Sequence, residues 1–267
     1  MHAEVLRTER LTPSMVRVVV GGDGLADFWP DAGDAPSTDA YVNLAFAPPG
    51  ADYGPVFDPA EVRESHPREQ QPARRRYTVR SWDPTTRELV LDFVVHGDDG
   101  VAGPWAQHAA PGDVLVLQGP GSGYRPDPGA DVHLLVGDES AVPAIAASLE
   151  VLPTGARALV RLVCDGPDHE VPLPSSADVD LVWVHRTAED PAPLPAAVEA
   201  LSRPTGRVQA FVHGEAEEVR AIRRHLLGTW GLERADMSCS PYWRRTYTDE
   251  AWRAVKREFV QAMDADL

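Results

Sequence analysis

Partway along this chain the apolar residues change their period, and that change limits most what the chain can fold into. Up to about residue 120 the apolar runs are short and partly alternating: SMVRVVV (14–20), YVNLAFA (41–47), YTVRSW (77–82), ELVLDFVV (88–95) and DVLVLQG (113–119). A two-residue period in β-branched and aromatic residues fits half-buried strands. The pieces GGDG, DPTTRE and PGD supply the turns between them. Only the stretch near Pro104–Ala109 reads as a short helix. Strands at this spacing predict a small antiparallel barrel. The Pro- and acid-rich stretch 48–74 interrupts the pattern as a long excursion.

The segment YRPDPGADV (124–132) has two prolines and no apolar periodicity, and it reads as a linker. Beyond it strands at 132–137, 158–164, 179–185 and 207–214 alternate with helices at 140–152, 194–202 and 215–227. Such alternation predicts a parallel sheet with helices on its faces. Thr248 or Asp249 can cap a last helix, where Trp252, Val255, Phe259 and Met263 recur at helical spacing and suit core packing. The expected architecture is therefore a β-barrel plus α/β: an N-terminal antiparallel barrel over 1–126, then a smaller parallel-sheet α/β domain over 127–267. Ligands of open parallel sheets bind beyond the carboxyl ends of the strands, and pockets favour domain interfaces. Chemistry is expected at that junction.

Charge narrows the function. The 41 Asp and Glu outnumber the 25 Lys and Arg, for a net charge of −16. General nucleic-acid binding needs a basic face and is not expected. An anionic ligand would have to be held by a local cluster of cations. No run approaches a membrane span, and the first ten residues carry charges where a secretory signal has an apolar core. A cytoplasmic protein without membrane insertion is expected. Cys164 and Cys239 are too few for a disulfide framework or a cysteine-held cluster, and the nine histidines form no close ligand pair. No metal site is predicted.

The cations do gather, in ARRRYTVRSWDP (73–84). In extended backbone Arg76, Thr78 and Arg80 share one face, and Arg75, Tyr77 and Val79 the other. Taken alone, the run is equally an edge strand whose exposed arginines discourage pairing with other chains. Next comes HGDDGVAGPWAQHAAPGD (96–113), a glycine-punctuated loop running into a helix, with Pro104 suited to the first helical position after Gly103. Free N–H groups at a helix start attract anions, pyrophosphate among them. A simple turn at GVAG is the plainer reading.

Together RRYTVR, DFVVHGDDGVAGPWA, PGDVLVLQGPGSGY, HLLVGDESAVPAIAASLE, LVWVHR, FVHGEAEEVRAIRRHL and PYWRR…DEAWRAVKREF resemble the siderophore-interacting proteins, in family order and from about residue 10 to 260. These are ferric-siderophore reductases among the ferredoxin-reductase-like flavoproteins. The resemblance implies FAD on the barrel and a second domain like a nicotinamide-binding domain. The family motif R-x-Y-T-x-R falls on Arg75, Tyr77, Thr78 and Arg80, with Val79 inside it. It implies that Tyr77 stacks on the isoalloxazine ring and Thr78 bonds its redox-active edge, as the catalytic pair. Arg75 and Arg80 would hold phosphates, for which guanidinium geometry is apt. His96 and the backbone of Val101, Ala102, Gly103 and Trp105 would line the ribityl and pyrophosphate path. The family often has serine where this chain has Gly103, so one hydroxyl contact to phosphate is missing.

The implied substrate is a ferric siderophore, since Fe(II) is held less tightly by hard oxygen ligands than Fe(III). Asn43 stands where relatives that take anionic siderophores carry lysine. Arg125 follows a loop, 119–124, that lacks the basic residue of some relatives. Arg244 or Arg245 matches a family arginine, with Thr246 in place of a common glycine. This thinned basic patch predicts a less anionic chelate, such as a hydroxamate. NADH, NADPH or ferredoxin would be the electron donor. Asp138, Glu139 and Ser140, in GDESAVPA (137–144), stand where nucleotide-binding relatives carry a glycine-rich turn, and the resemblance assigns them to the cofactor site. Carboxylates there would cap the helix and repel a pyrophosphate. His185–Arg186 and His213–Glu215 are further candidates for a donor pocket. Two other readings stay open: a general NAD(P)H-dependent ferric-chelate or flavin reductase, and a redox-inactive siderophore-binding module.

Overall fold

The computed structural model describes residues 1–29, 37–97, 100–121 and 123–266, so parts of the loops read at 96–101 and 119–124 lie outside the described residues. The chain divides into two compact units, Met1–Arg125 and Pro126–Leu267.

In the first unit, strands β1 (His2–Thr12), β2 (Met15–Gly21), β3 (Tyr41–Phe46), β4 (Ala73–Asp83), β5 (Glu88–Val94) and β6 (Val114–Gly121) are antiparallel. They close into a barrel in the order β1-β2-β5-β4-β3-β6. Alternation decides which side chains fill it. Val16, Val18 and Val20 lie opposite Phe93, Leu91 and Leu89, and all six are buried in one cluster with Val42, Leu44, Leu115 and Leu117. The residues between them face outward, and there Arg17 pairs with Asp92 through bonds of 2.7 and 2.9 Å. Opposite charges facing each other across two strands support the register.

Two elements of this unit were not foreseen, β1 and a helix in the 48–74 excursion. Strand β1 carries the charges of Glu4, Arg7, Glu9 and Arg10, yet it pairs with both β2 and β6 and is needed for closure. The predicted strand at 77–82 extends back to Ala73. The 48–74 excursion contains a helix α1 (Pro59–Ser65), capped by Asp58, whose Oδ1 accepts the Ala60 N–H at 2.7 Å. Tyr53 ties this excursion down by donating its hydroxyl to the Gln70 carbonyl at 2.8 Å. A further helix, α2 (Ala102–His108), begins two residues before Pro104.

The second unit is a parallel sheet of β7 (Val132–Asp138), β8 (Arg157–Cys164), β9 (Asp178–His185), β10 (Val208–Glu215) and β11 (Met237–Trp243), in the order β11-β10-β7-β8-β9. Helices α3 (Val142–Val151), α4 (Leu194–Glu199), α5 (Ala216–Gly228) and α6 (Asp249–Asp264) accompany it. Strand β11 escaped the sequence reading because Pro241 lies inside it; an edge position tolerates the missing donor. Thr248 caps α6 by accepting the Ala251 N–H at 3.2 Å, and Trp252, Phe259 and Met263 are buried in the core beside Val255. Strands are added outward from β7 on one side and from β10 on the other, which makes the carboxyl ends of those two parallel strands the switch point of the sheet.

Asp92 has a side chain only 2% exposed and holds Arg17 through two short bonds. Asp92→Ala is expected to lower unfolding free energy by about 3 kcal/mol in denaturant titrations at pH 7, an effect typical of a broken buried pair.

Candidate functional site

The cation-rich strand β4 is read best through its neighbours. Tyr77 lies opposite Val42 and Arg75 opposite Leu44, so both follow the inward face. Thr78 lies opposite Tyr41 and Arg76 opposite Asn43, on the outward face. Between Val79 and Ser81 the register with β5 shifts, which breaks strict alternation at Arg80. Val79 is buried in the barrel, while Arg75 and Arg80 are half-buried.

Tyr77 does not stand alone. Its ring is half-buried and lies 4.2 Å, centroid to centroid, from Phe93 on β5, tilted by 34°. Phe93 also touches the Trp105 ring of α2 at 5.6 Å, and Trp105 meets Phe46 edge-on at 5.5 Å. One chain of aromatic rings thus connects β4, β5, α2 and β3. Offset or tilted contacts of this kind add about 0.5–1.5 kcal/mol each beyond their area. Phe93 was not picked out from the sequence, where it is one apolar residue in a strand pattern.

The other predicted contacts are arranged around this core. Thr78 is buried at 8% exposure. His96 and Val101 are exposed, Ala102 is buried, and Gly103 is half-buried. Val101 precedes α2 and has no side-chain acceptor to offer the N–H groups of the first turn. A Cβ added at Gly103 would stand 3.4 Å from the Val94 carbonyl, so the backbone approaches β5 closely there. A flavin dinucleotide fits this donor set. It needs an aromatic ring, a hydroxyl in a dry setting, guanidinium groups for two phosphates, and uncapped N–H groups.

Among the residues assigned to substrate, Asn43 accepts a bond from Arg76 Nε at 3.3 Å, and the Arg76 guanidinium lies 5.0 Å from the centre of the Tyr41 ring. Arg74 donates to Gln118 Oε1 at 2.6 Å. Arg125 is half-buried at the end of the first unit. Arg244 and Arg245 sit among carboxylates of the second unit rather than in a basic patch. Arg244 pairs with Glu217 at 2.7 Å, and Arg245 donates its Nη2 to the Pro191 carbonyl at 2.8 Å.

At the carboxyl ends of the parallel strands, Asp138 and Glu139 turn inward. Asp138 accepts the Trp243 indole N–H at 2.7 Å and the Ser140 N–H at 2.9 Å. Its carboxylate packs over Gly214, where an added Cβ would stand 2.6 Å from Oδ2 and the backbone has φ +142°. Burial, and then the Glu139 charge, push the Asp138 carboxyl above its ordinary range. Glu139 takes both terminal nitrogens of Arg186, at 2.7 and 2.8 Å, and Arg186 reaches Asp165 at 3.0 Å. Burial opposes the charge of Arg186, but the bonds to Glu139 outweigh it and hold the guanidinium protonated. Ala141 and Val142, at the start of α3, are buried. A pyrophosphate does not fit on α3: its first turn is covered, and the place of a glycine-rich turn is filled by an internal ion pair. Arg186 was a candidate for the donor pocket and Trp243 was not singled out; neither has a local signal that pairs it with residues 138–139.

Deeper in the sheet His213 is bonded at both ring nitrogens, Nδ1 with the Tyr242 hydroxyl at 2.7 Å and Nε2 with the Ser238 hydroxyl at 2.9 Å. It stacks on Phe211 at 3.7 Å. Burial, followed by the charge of Lys256, pushes its pKa down to about 3. Cys164 and Cys239 are free. Among the described residues no group of His, Cys, Asp and Glu is placed to hold a metal ion, and no helix is long and apolar enough to cross a membrane.

Known proteins are similar to this chain over both units. A family model described as "Siderophore-interacting FAD-binding domain" matches residues 4–124, and one described as "Siderophore-interacting protein" matches residues 130–246. An uncharacterized protein of Mycobacterium tuberculosis is 41% identical over 98% of this chain and 96% of its own. Ferric vibriobactin reductase ViuB of Vibrio cholerae is 38% identical over 69% of this chain and 69% of its own. The crystal structure of the siderophore-interacting protein SipS from Aeromonas hydrophila matches with a TM-score of 0.83 at 28% identity, covering 98% of each chain.

His213 supplies a pH test of the second unit. The unfolded chain takes up a proton at this residue near pH 6.5, whereas the folded chain does so only near 3. Its contribution to stability is therefore complete above pH 6.5 and is lost as pH falls toward 3. In denaturant titrations between pH 6 and pH 4, His213→Gln is expected to flatten the fall in stability by about 1.4 kcal/mol per pH unit.

Proposed function

The chain belongs to the siderophore-interacting protein family, and on that footing we propose that it binds FAD on the barrel and reduces a ferric siderophore, releasing Fe(II) in the cytoplasm. The observation that carries this reading is strand β4, where a half-buried tyrosine braced by Phe93 stands beside a buried threonine among four arginines, in a protein of net charge −16.

Each residue has a task in this reading. Tyr77 offers its ring to the isoalloxazine, and Phe93 keeps that ring from turning. Thr78 supplies a hydroxyl at the ring edge. Arg75 and Arg80 hold the phosphates, together with N–H groups at the start of α2. Bound FAD supplies electrons one at a time, as the step from Fe(III) to Fe(II) requires. The protein breaks no bond of the chelate. It positions the chelate, and iron leaves because hard oxygen donors hold Fe(II) weakly.

Asn43 sets the charge preference. An amide there adds no cation beside Arg76, and Arg76 is already engaged with Asn43 and Tyr41. This supports a neutral or weakly anionic chelate, such as a ferric hydroxamate, over a highly anionic tricatecholate. The covered start of α3 supports a donor that does not rest its phosphates there. Reduced ferredoxin meets that condition directly, and NADH or NADPH meets it only through other contacts.

The first test is the visible spectrum of protein purified without added cofactor, with identification of whatever ligand denaturation releases. FAD is expected, and Tyr77→Ala or Arg75→Ala should raise its dissociation constant at least tenfold. A colourless protein that also refuses added FAD would sink the reductase reading and favour a binding module. For specificity, Asn43→Lys is expected to raise kcat/KM several-fold for a ferric tricatecholate while leaving a neutral ferric trihydroxamate unchanged.

A further inference from the structure

The second unit holds polar groups that the proposed reduction does not use. A cleft of about 460 Å³ opens beside α4, the first turns of α5 and residues 244–247. Ala192, Pro195 and Ala221 give it apolar walls, and the Tyr247 side chain lies in its lining at 42% exposure.

Three carboxylates line it, and two of them are committed. Glu215 caps α5: its Oε2 accepts the N–H groups of Glu217 and Glu218 at 2.8 and 3.0 Å, and its Oε1 accepts the Arg245 N–H at 3.1 Å. Glu217 is paired with Arg244. Glu218 differs. It is 3% exposed, its Oε1 has one long bond from the Leu194 N–H at 3.4 Å, and its Oε2 has no hydrogen-bond donor. The nearest cation on Oε2 is Arg245 Nη2 at 3.6 Å, and that nitrogen is already donating to Pro191. A buried acceptor without a donor is unfavourable, the more so when it carries charge.

The missing partner is a positively charged hydrogen-bond donor. An anion has little to gain here, because Glu215 occupies the start of α5 and Arg244 is held by Glu217 and by the rings of Tyr247 and Phe259. A metal ion needs several oxygen ligands, and only one carboxylate is uncommitted. We propose that this cleft binds a small organic cation, a primary ammonium or a guanidinium, seated on the Glu218 carboxylate with its alkyl part along the apolar walls. The site uses only residues of the second unit and stands or falls independently of the flavin reading.

Glu218 also makes the site respond to pH. Around it lie the acids Asp138 and Glu215 and the cations Arg186 and Arg245. Burial first, and then Asp138, push its carboxyl up to about 7. The seat is therefore charged at pH 8 and mostly neutral at pH 5.5. The raised value also means that the folded state favours the protonated form, so ionisation weakens the fold progressively as pH rises from about 4.5 to about 7.

The experiment is calorimetric titration of the full chain, as purified, with n-butylamine and n-butylguanidine, and with n-butanol as the uncharged control. Saturable binding of one cation per chain is expected at pH 8, weaker by at least tenfold at pH 5.5, with no response to butanol. Glu218→Gln should abolish it, and Ala221→Met should abolish it by filling the cleft while leaving Glu218 in place. Glu218→Gln should also melt at a higher temperature than wild type at pH 8, and by a smaller margin at pH 5.5. No saturable binding at pH 8, as when Arg245 closes on Glu218 by itself, overturns the proposal. So does equal binding by Glu218→Gln. If that variant does not fold, undiminished binding by Ala221→Met overturns it.

Discussion

The pleat of β4 is the constraint on which the first unit depends. One strand must help close an apolar barrel and also carry Arg74, Arg75, Arg76 and Arg80. Alternation makes this feasible, because Arg76 and Thr78 leave the barrel on the side of Asn43 and Tyr41 while Val79 enters it. Arg75 and Tyr77 follow the inward face but stay half-buried, and the Arg75 head donates its Nη1 to the Arg74 carbonyl at 3.0 Å. The irregular step at Arg80 re-aims the strand just past the tyrosine and threonine. Phe93 then converts the position of Tyr77 into an orientation.

The second unit solves a different electrostatic problem. Its switch point, which holds nucleotides in many open α/β sheets, is occupied by the protein's own groups. Asp138 packs over Gly214 and accepts the Trp243 indole N–H, and Glu139, just before α3, is paired with Arg186. Buried charges persist only when paired, and here the pairing is nearly complete at Glu139 and Glu215. Glu218 is the exception, in a helix turn whose other acids are satisfied. The fold thus concentrates negative charge at one end of the sheet and neutralises most of it locally.

Much of the architecture was legible in the sequence. The alternating runs became barrel strands and the strand–helix alternation became a parallel sheet, because both patterns record backbone geometry residue by residue. Helix α6 was readable for the same reason, from its threonine cap and the Trp252–Met263 stripe. Strand β1 was hidden because its outward side chains are charged, and β11 because Pro241 argues against a strand anywhere except at an edge. In the site, Tyr77 and Thr78 stood out through their motif. Phe93 and Trp243 did not, and Arg186 stood out only as a donor-pocket candidate, since each matters through a partner distant in sequence: 47 residues separate Arg186 from Glu139, and 105 separate Trp243 from Asp138.

By itself the sequence determined that the chain forms a barrel followed by a parallel sheet, and that its cations concentrate on one barrel strand. Hydrophobic period and local charge are properties of neighbouring residues, so no tertiary information is needed to read them. Only the tertiary structure decided that Asp138 and Glu139, which look from the sequence like helix-capping groups open to a ligand, are internal partners of Trp243 and Arg186. That outcome follows from strand order. Placing β7 between β10 and β8 brings the Asp138 carboxylate over Gly214, with Trp243 at the end of the next strand, β11, and it brings the residue after β9 within reach of Glu139. Once those groups are buried together, the unfavourable desolvation of each charge leaves pairing as the only stable arrangement.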